Sequence, residues 1–187
     1  MLNGSSTTEE HAIIKLCLNG DADQYAVLVD RYSAMAFNIA YRIVGDADAA
    51  KDMAQESFIS AYTALEDFKF GSKFSSWLYR IVVNKCRDHL KSAQETAAID
   101  EIAELVPARG QTPEQALSSR QTGDMIQIAL SRLPVEHREV IVLKHVEGLD
   151  YGEIADILGV KVNALKVRAH RGRESLKELL EGMGVTK

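Results

Sequence analysis

The stretch DYGEIADILGVKVNALKVRAHRGRE, residues 150–174, contains two helical patterns separated by a glycine. Asp150 can cap the first, short helix, and Gly159 can adopt the left-handed conformation that ends it. Ala155 is small enough for a close helix approach, and Leu165 can wedge the second helix onto the first. This spacing predicts a helix-turn-helix, although an ordinary helical hairpin would show the same residues.

The second helix separates polar from apolar side chains when its residues are placed at about 100° intervals. The polar arc contains Asn163, Lys166, Val167, His170, Arg171 and Glu174, and the apolar side contains Leu165, Ala169, Gly172, Leu176 and Leu179. A DNA-reading helix needs this division, because its exposed side must reach base edges while flanking cations neutralise phosphates. Lys166, His170 and Arg171 suit bases. Arg168 and Arg173, at the edges of the arc, suit phosphates, and a merely solvated face is the alternative.

The composition of the 187-residue chain is that of a globular protein, with 46% hydrophobic residues and a formal net charge of −5. Its two cysteines, Cys17 and Cys86, lie far apart and outside any metal-ligand spacing, so we expect reduced thiols and neither a disulfide nor a metal site. The N-terminus lacks the features of a secretory signal, and no apolar run approaches membrane-spanning length. We therefore expect a cytoplasmic protein that does not insert into a membrane.

Helix start and stop signals recur along the chain, and no stretch alternates as a strand does. Helices are predicted from Thr7 or Thr8 to Asn19, from Asp21 to Val44, from Asp46 to about Leu65, and over 74–91, 113–132, 134–147, 151–158 and 162–180. Periodicity fades and acidic residues dominate over 92–111. The sequence therefore predicts an all-α fold in which two small helical domains, 1–91 and 112–187, are joined by a flexible acidic linker, 92–111.

The third predicted helix contains AAKDMAQESF, residues 49–58, which places Asp52, Gln55 and Glu56 on one face beside Ile59. A polar, acidic patch with an apolar neighbour suits docking onto another protein. An ordinary solvated surface is the alternative interpretation of this patch taken alone.

The segment FKFGSKFSSWLYRIVVNKCRDHLK, residues 68–91, interleaves aromatic rings with cations. Such a combination can hold unpaired bases, with the rings or a pocket taking the base and the cations taking the backbone. Most of these rings are expected in the core, Phe74 and Trp77 especially, because a small helical domain needs large apolar side chains. Phe68 lies beside the glycine-containing loop and is the better candidate for a pocket wall.

Together these segments resemble the extracytoplasmic-function (ECF) group of bacterial sigma factors over nearly the whole chain. DADAAKDMAQESFISAYTAL, residues 46–65, is similar to the polymerase-binding segment of sigma region 2, and residues 68–91 to its promoter-melting segment. LPVEHREVIVLKHVEGLDYGEIADILGVKVNALKVRAHRGRESLKELL, residues 133–180, resembles region 4. Their order and spacing, with an acidic linker between them, make the resemblance specific.

The resemblance implies a function for each segment. In the N-terminal domain it implies that the β′ clamp helices of core RNA polymerase are bound by Asp52, Gln55 and Glu56. It implies that a base flipped out of the minus 10 element is taken up by the 68–73 loop around Phe68, with Ala64 and Asn84. It also implies that Arg87 lies near the promoter backbone. In the C-terminal domain it implies that Asn163, Lys166, Val167, Arg168, His170, Arg171 and Arg173 meet the minus 35 element, and that this domain binds the β flap. An anti-sigma factor is the implied regulator, and no catalytic residue, metal or cofactor is implied.

The chain departs from the family pattern at the start of the recognition helix, where Asn163, Ala164 and Leu165 stand in place of a common Gly-Thr-Val. Val167 replaces a hydroxyl side chain and can contact a thymine methyl instead. Lys51 stands where an acidic residue is common.

Two other functions fit parts of the sequence: a sigma mimic that titrates an anti-sigma factor, and a plain helix-turn-helix repressor. The first would need neither the basic helix nor Asn84, and the second would leave the 49–58 face without a purpose.

Overall fold

The computed structural model describes residues 3–100 and 119–185, with side chains described over 7–95 and 123–185. The helices in these ranges are α1 (Asn3–Leu18), α2 (Tyr25–Val44), α3 (Ala47–Thr63), α4 (Phe74–Asp100), α5 (Ser119–Ser131), α6 (Val135–Ile141), α7 (Tyr151–Leu158) and α8 (Val162–Gly182). Short 3-10 turns cover Ala22–Gln24 and Leu65–Asp67, and a π-helical turn, Val142–Val146, continues α6. No strand occurs in the described ranges, and the predicted all-α class is confirmed.

Several helix ends follow the signals in the sequence. The Asp46 carboxylate accepts a hydrogen bond from the Ala49 amide at 2.8 Å and caps α3. Asp150 and Glu153 form a reciprocal capping box at the start of α7. Gly45 and Gly159 end α2 and α7 with φ of 92° and 67°, a conformation that favours glycine. The helix-turn-helix boundaries predicted from local chemistry are therefore confirmed.

Three predicted boundaries were wrong. α1 begins at Asn3, ahead of the expected threonine caps, and Asp21 precedes a 3-10 turn without capping through its side chain. α4 runs to Asp100 instead of ending at Lys91, so part of the predicted linker is helical. Ala, Gln and Glu, which follow Lys91, are strong helix formers and can extend an exposed helix without a buried stripe. The rest of the predicted linker, 101–111, lies outside the described residues.

Helices α1 to α4 pack around a shared apolar core. α2 lies against both α3 and α4, and fully buried side chains such as Ile39, Phe74 and Leu78 fill the space between them. α1 is held on α2 by polar contacts as well, since the Tyr32 hydroxyl donates to the buried Glu10 carboxylate. The expectation that Phe74 belongs to the core is confirmed, and Trp77 is half-buried beside it.

Helices α5 to α8 form a second group, in which α8 packs across α6 and α7. Leu165 and Ala169 are fully buried on the inner side of α8, as their periodicity predicts. At Gly172, α8 approaches α6 so closely that a Cβ atom added to this glycine would lie 3.0 Å from Ile141 Cγ1. A side chain at this position would push α8 away from α6, because such a contact is shorter than packed carbon atoms tolerate.

The two groups also contact each other. α5 and α6 lie against α2, and α7 lies against α4. The Gln127 amide donates to the Tyr41 carbonyl at 3.0 Å, and the buried Arg138 guanidinium donates to the Ile43 carbonyl. The division into two domains at the predicted boundaries stays a prediction, but the described helices of one group are docked on those of the other.

Candidate nucleic-acid interface

The reading face of α8 is exposed in the structure. The predicted base-contacting side chains Lys166, His170 and Arg171 all reach solvent, as does Asn163. Val167 is 50% exposed, so its methyl groups are available to an apolar atom such as a thymine methyl. The structure therefore brings these five residues to one accessible surface of the helix-turn-helix.

The two flanking arginines are partly engaged within the protein. Arg168 is half-buried, and its Nη2 lies 2.8 Å from Glu136 Oε2 on α6. Arg173 is exposed, with Nη1 3.5 Å from the Tyr151 hydroxyl. A phosphate would have to displace Glu136 from Arg168. Arg173 forms no ion pair among those that the structure describes, so it could bind a phosphate without breaking one.

Three basic side chains lie close together near the start of α7. Burial, then the nearby charges of Arg173 and Lys144, lowers the pKa of His145 below its usual value. Lys144 Nζ lies 5.3 Å above the Tyr151 ring and donates to the Leu149 carbonyl. Sequence reasoning did not select Lys144 or His145, which occupy the π-helical turn one element ahead of the predicted motif.

The loop that follows α3 presents a different ring from the one expected. Phe68 is only 4% exposed and packs edge-on against Trp77, with ring centroids 5.5 Å apart. Its ring is therefore part of the core here and does not form an open pocket wall. Phe70 is 38% exposed, with the His11 ring against its edge and Lys15 Nζ 5.6 Å from its centroid.

The other residues predicted to meet the minus 10 element lie at the end of α3 and along α4. Ala64 is half-buried at the C-terminal end of α3, and Asn84 is exposed on α4. Arg87 is not free for a phosphate, because its Nε and Nη2 donate to the two carboxylate oxygens of Glu139 at 2.5 and 2.6 Å. This ion pair joins the N-terminal and C-terminal groups of helices.

Arg80 and Arg87 on α4 and Lys73, which immediately precedes this helix, stand at seven-residue intervals, and we call these three residues the cationic stripe. All three lie in the 68–91 segment, whose cations are expected to take a nucleic-acid backbone, and the resemblance places Arg87 near the promoter backbone. The seven-residue spacing equals about two helical turns and therefore places the three cations on the same side.

The acidic patch on α3 is exposed and borders two grooves. Asp52, Gln55 and Glu56 all reach solvent, and Ile59 beside them is 60% exposed. A groove of about 570 Å³ is lined by Ala49, Asp52, Met53, Gln55, Glu56, Ile59 and His89. A second, mostly apolar groove of about 540 Å³ is lined by Tyr25, Val29, Ser33, Phe37, Lys51, Ala54, Gln55, Phe58, Ile59 and Tyr62. An exposed apolar surface rimmed by charges is typical of a protein-binding site.

Neither cysteine has the environment of a reactive thiol. Both are unpaired and buried. Burial raises the pKa of Cys17 and, with a smaller contribution from Glu139, raises that of Cys86 to about 12.

Among the described residues no group of three or more His, Cys, Asp or Glu side chains is placed to hold a metal ion. Within the same part of the chain, no helix is both long and apolar enough to cross a bilayer.

Comparison with known proteins identifies two family segments. Residues 28–96 match the model of sigma-70 region 2, and residues 124–176 match that of sigma-70 region 4. The ECF RNA polymerase sigma factor SigW of Bacillus subtilis is 37% identical over 179 residues, which cover 91% of this chain and 96% of that protein. The ECF RNA polymerase sigma factor SigE of Mycolicibacterium smegmatis is 36% identical over 82% of this chain and 60% of its own length.

Solved structures give a consistent comparison. The sigma factor RpoE of Bartonella quintana, solved with the anti-sigma factor NepR, superposes with a TM-score of 0.69 at 25% identity, covering 86% of this chain and 97% of its own. CnrH, solved with the cytosolic domain of CnrY, gives a TM-score of 0.64 at 27% identity, covering 91% and 96% of the two chains.

Proposed function

This chain belongs to the ECF group of RNA polymerase sigma factors, a family of non-enzymatic transcription initiation factors, and we propose that it directs core RNA polymerase to promoters through two DNA contacts. The observation that carries this proposal is the presence, on one chain, of an exposed acidic patch on α3 and an exposed cationic reading face on α8. The first is suited to the polymerase and the second to the minus 35 element. The chain then recognises the promoter, and the polymerase catalyses RNA synthesis.

Recognition of the minus 10 element is assigned to the surface formed by Ala64, the 68–73 loop and Asn84. Here Phe70 and its neighbour Lys15 offer an exposed ring and a cation, the combination on which unpaired bases stack. Capturing a flipped base offsets an unstacking cost of about a few kcal/mol and so couples recognition to strand opening. Phe68 supports this loop from below, since its ring packs against both Phe70 and Trp77.

The proposed partners are core polymerase, promoter DNA and an anti-sigma factor. The β′ clamp helices are assigned to Asp52, Gln55 and Glu56, and the β flap to the C-terminal domain. An anti-sigma partner is supported by the similarity to RpoE, whose structure contains the anti-sigma factor NepR. Because the proposed work takes place on promoter DNA, we assign the chain to the cytoplasm.

The direct test is transcription in vitro with core polymerase, the purified chain and a library of promoter fragments. We expect promoter-specific transcripts that are absent without the chain, together with binding to core polymerase. Binding to an anti-sigma factor without transcripts would favour a sigma mimic. Sequence-specific binding to duplex DNA without any binding to core polymerase would favour a repressor.

Reversing the charge of Asp52 is expected to weaken binding to core polymerase. Asp52→Lys places a cation in the middle of the acidic patch. A partner that binds an acidic patch presents a basic surface, and like charges facing each other across an interface cost up to several kcal/mol. Asp124→Lys, an equal charge change at an exposed position of α5, is the matched control. Affinity of each variant for core polymerase is the measurement, and equal affinities for the two variants would contradict the assignment of this patch.

Removing the Arg171 side chain is expected to weaken minus 35 binding by roughly 1 to 3 kcal/mol, because a good arginine contact to a base edge has this value. The affinity of Arg171→Ala is measured on a promoter fragment selected in the transcription assay and on random duplex DNA, with exposed Lys177→Ala as the control on the same helix. An equal loss on both DNAs, with a shallower salt dependence, would make Arg171 a phosphate contact instead.

A further inference from the structure

Helix α1 contacts the loop that carries Phe70. The His11 ring nitrogen Nε2 lies 3.2 Å from the Ser72 carbonyl oxygen. A carbonyl oxygen only accepts hydrogen bonds, so Nε2 is the donor. The His11 ring also lies edge-on to the rings of Phe68 and Phe70, with centroids 5.8 and 5.4 Å away. One side chain of α1 therefore contacts the loop through a hydrogen bond and through two of its rings.

The Ser72 carbonyl belongs to a tight turn that contains Phe70. The backbone amide and the hydroxyl of Ser72 both donate to the Lys69 carbonyl at 2.9 Å. These two hydrogen bonds close a four-residue turn over 69–72, with Phe70 at its second position. The hydrogen bond from His11 ties the closed turn to α1, and it thereby fixes where the Phe70 ring lies.

Helix α1 is itself held firmly on the rest of the N-terminal group. Ile14, three residues after His11, is fully buried in the core. Glu10, the residue before His11, is buried as well and accepts a hydrogen bond from the Tyr32 hydroxyl on α2. Buried contacts on both sides of His11 along the chain therefore give its ring a fixed position.

Lys15 lies one helical turn after His11 and on the same side of α1. Its Nζ lies 5.6 Å from the centroid of the Phe70 ring. Both side chains reach solvent, since Lys15 is exposed and Phe70 is 38% exposed. An exposed ring beside a cation suits a nucleotide, because the base stacks on the ring while the cation neutralises the phosphate.

We propose that α1 completes the minus 10 site: Phe70 and Lys15 hold one unpaired base and its phosphate, and His11 is a positioning residue that fixes the turn carrying Phe70. This inference rests on the proposed function and deepens it, because it adds α1 to a site otherwise built from the end of α3, the 68–73 loop and α4. A ring that is fixed before the base arrives loses little freedom on binding, which favours affinity.

The test measures binding of the full chain to two fluorescein-labelled single-stranded DNAs by fluorescence anisotropy. One probe is a short strand of mixed sequence, and the other has the same length and backbone but no bases. The ratio of the two affinities reports contacts to bases, because both probes offer the same phosphates. Contacts of α8 with either probe are common to all the variants, so they cancel when the variants are compared.

We expect Phe70→Ala to lower this affinity ratio by ~10-fold, which corresponds to the stacking of one base on an aromatic ring. Val27→Ala, a truncation at a 41% exposed apolar position of α2, is its control. Lys15→Met should weaken binding of both probes alike and make the salt dependence shallower by about 0.7 in the log–log slope, because one phosphate contact is lost. Lys177→Met, an equal charge change at an exposed position of α8, should match the unsubstituted chain.

Two substitutions of His11 test its positioning role. His11→Leu has no donor for the Ser72 carbonyl and should lower the affinity ratio by ~3-fold, as expected for the loss of one hydrogen bond. His11→Gln keeps a nitrogen donor at about the same place and should retain the ratio of the unsubstituted chain. Urea unfolding gives the stability of both variants. A merely structural role would change that stability and leave the ratio unchanged.

The proposal is wrong if Phe70→Ala keeps the affinity ratio, if Lys15→Met matches Lys177→Met, or if His11→Leu and His11→Gln give equal ratios. The binding assay contains no polymerase, so this failure is separable from that of the proposed function. A chain that shows the expected ratios but yields no promoter-specific transcripts would keep the base-stacking site and lose the sigma assignment.

Discussion

Arg138→Met is expected to lower the free energy of unfolding by roughly 3 kcal/mol or more, since each buried polar group left without a partner costs about 1 to 3 kcal/mol. The Arg138 guanidinium donates to the Ser131 carbonyl at 2.6 Å, to the Leu133 carbonyl at 3.0 Å and to the Ile43 carbonyl. Methionine fills most of the volume but donates to none of them. The loss is therefore mainly one of hydrogen bonds.

The position of these carbonyls explains why the effect should be large. Ile43 lies in the last turn of α2, where carbonyls have no partner within the helix, and Ser131 ends α5. Arg138 thus caps two helices from different groups with one side chain. Burial lowers its pKa, but the charge is retained because an arginine does not deprotonate in proteins.

Urea unfolding followed by far-UV circular dichroism is the measurement. Arg132→Met, at an exposed position of the same segment, is the control and should stay within about 0.5 kcal/mol of the unsubstituted chain. Arg138→Lys should fall between the two, because an ammonium group lacks the planar fork that reaches several carbonyls at once. Equal stabilities for Arg138→Met and Arg132→Met would show that the carbonyls find other partners.

Local features of the helix-turn-helix could be predicted from the sequence because they depend on neighbours along the chain. The cap at Asp150 and the left-handed turn at Gly159 follow from residue types within one turn of the helix. The burial of Leu165 and Ala169 follows from the helical period. The same reasoning placed Lys166 and Arg171 on the exposed side, as the structure has them.

Contacts between distant residues could not be predicted in this way. The adjacent charges of Arg138 and Glu139 resemble an ordinary solvated pair in the sequence, yet both are buried, one against α2 and the other against α4. Their partners lie 95 and 52 residues away along the chain. No periodic signal encodes such pairing, because it depends on how the two groups of helices dock.

The aromatic loop shows the same limit on a smaller scale. Phe68 and Phe70 stand in one irregular segment, and nothing local decides which ring enters the core. The choice is made by Trp77 and Phe74 on α4, which surround Phe68. His11 and Lys15 lie on α1 and contact Phe70, and the sequence pattern likewise could not predict these contacts.

Leu165→Ala is expected to lower the free energy of unfolding by roughly 2 to 5 kcal/mol, because deletion of a fully buried leucine side chain leaves a cavity. Leu165 is 0% exposed and lies on the side of α8 that packs against α6 and α7. Because this side chain packs α8 onto its neighbours, we expect its deletion to change the angle at which α8 presents its reading face. A loss of minus 35 affinity should therefore accompany the loss of stability.

Val167→Ala, two residues further along α8, separates these two effects. Val167 is 50% exposed on the reading face, so its truncation should change stability by no more than about 0.5 kcal/mol. Its methyl groups are nevertheless placed to meet DNA, so we expect a loss of affinity confined to promoters that carry a thymine opposite this position. Urea unfolding and binding to selected promoter fragments, measured on both variants, give the two quantities. If Leu165→Ala bound DNA normally while folded, the orientation of α8 would not depend on its buried side, and the reading face would have to be positioned by the turn at Gly159 alone.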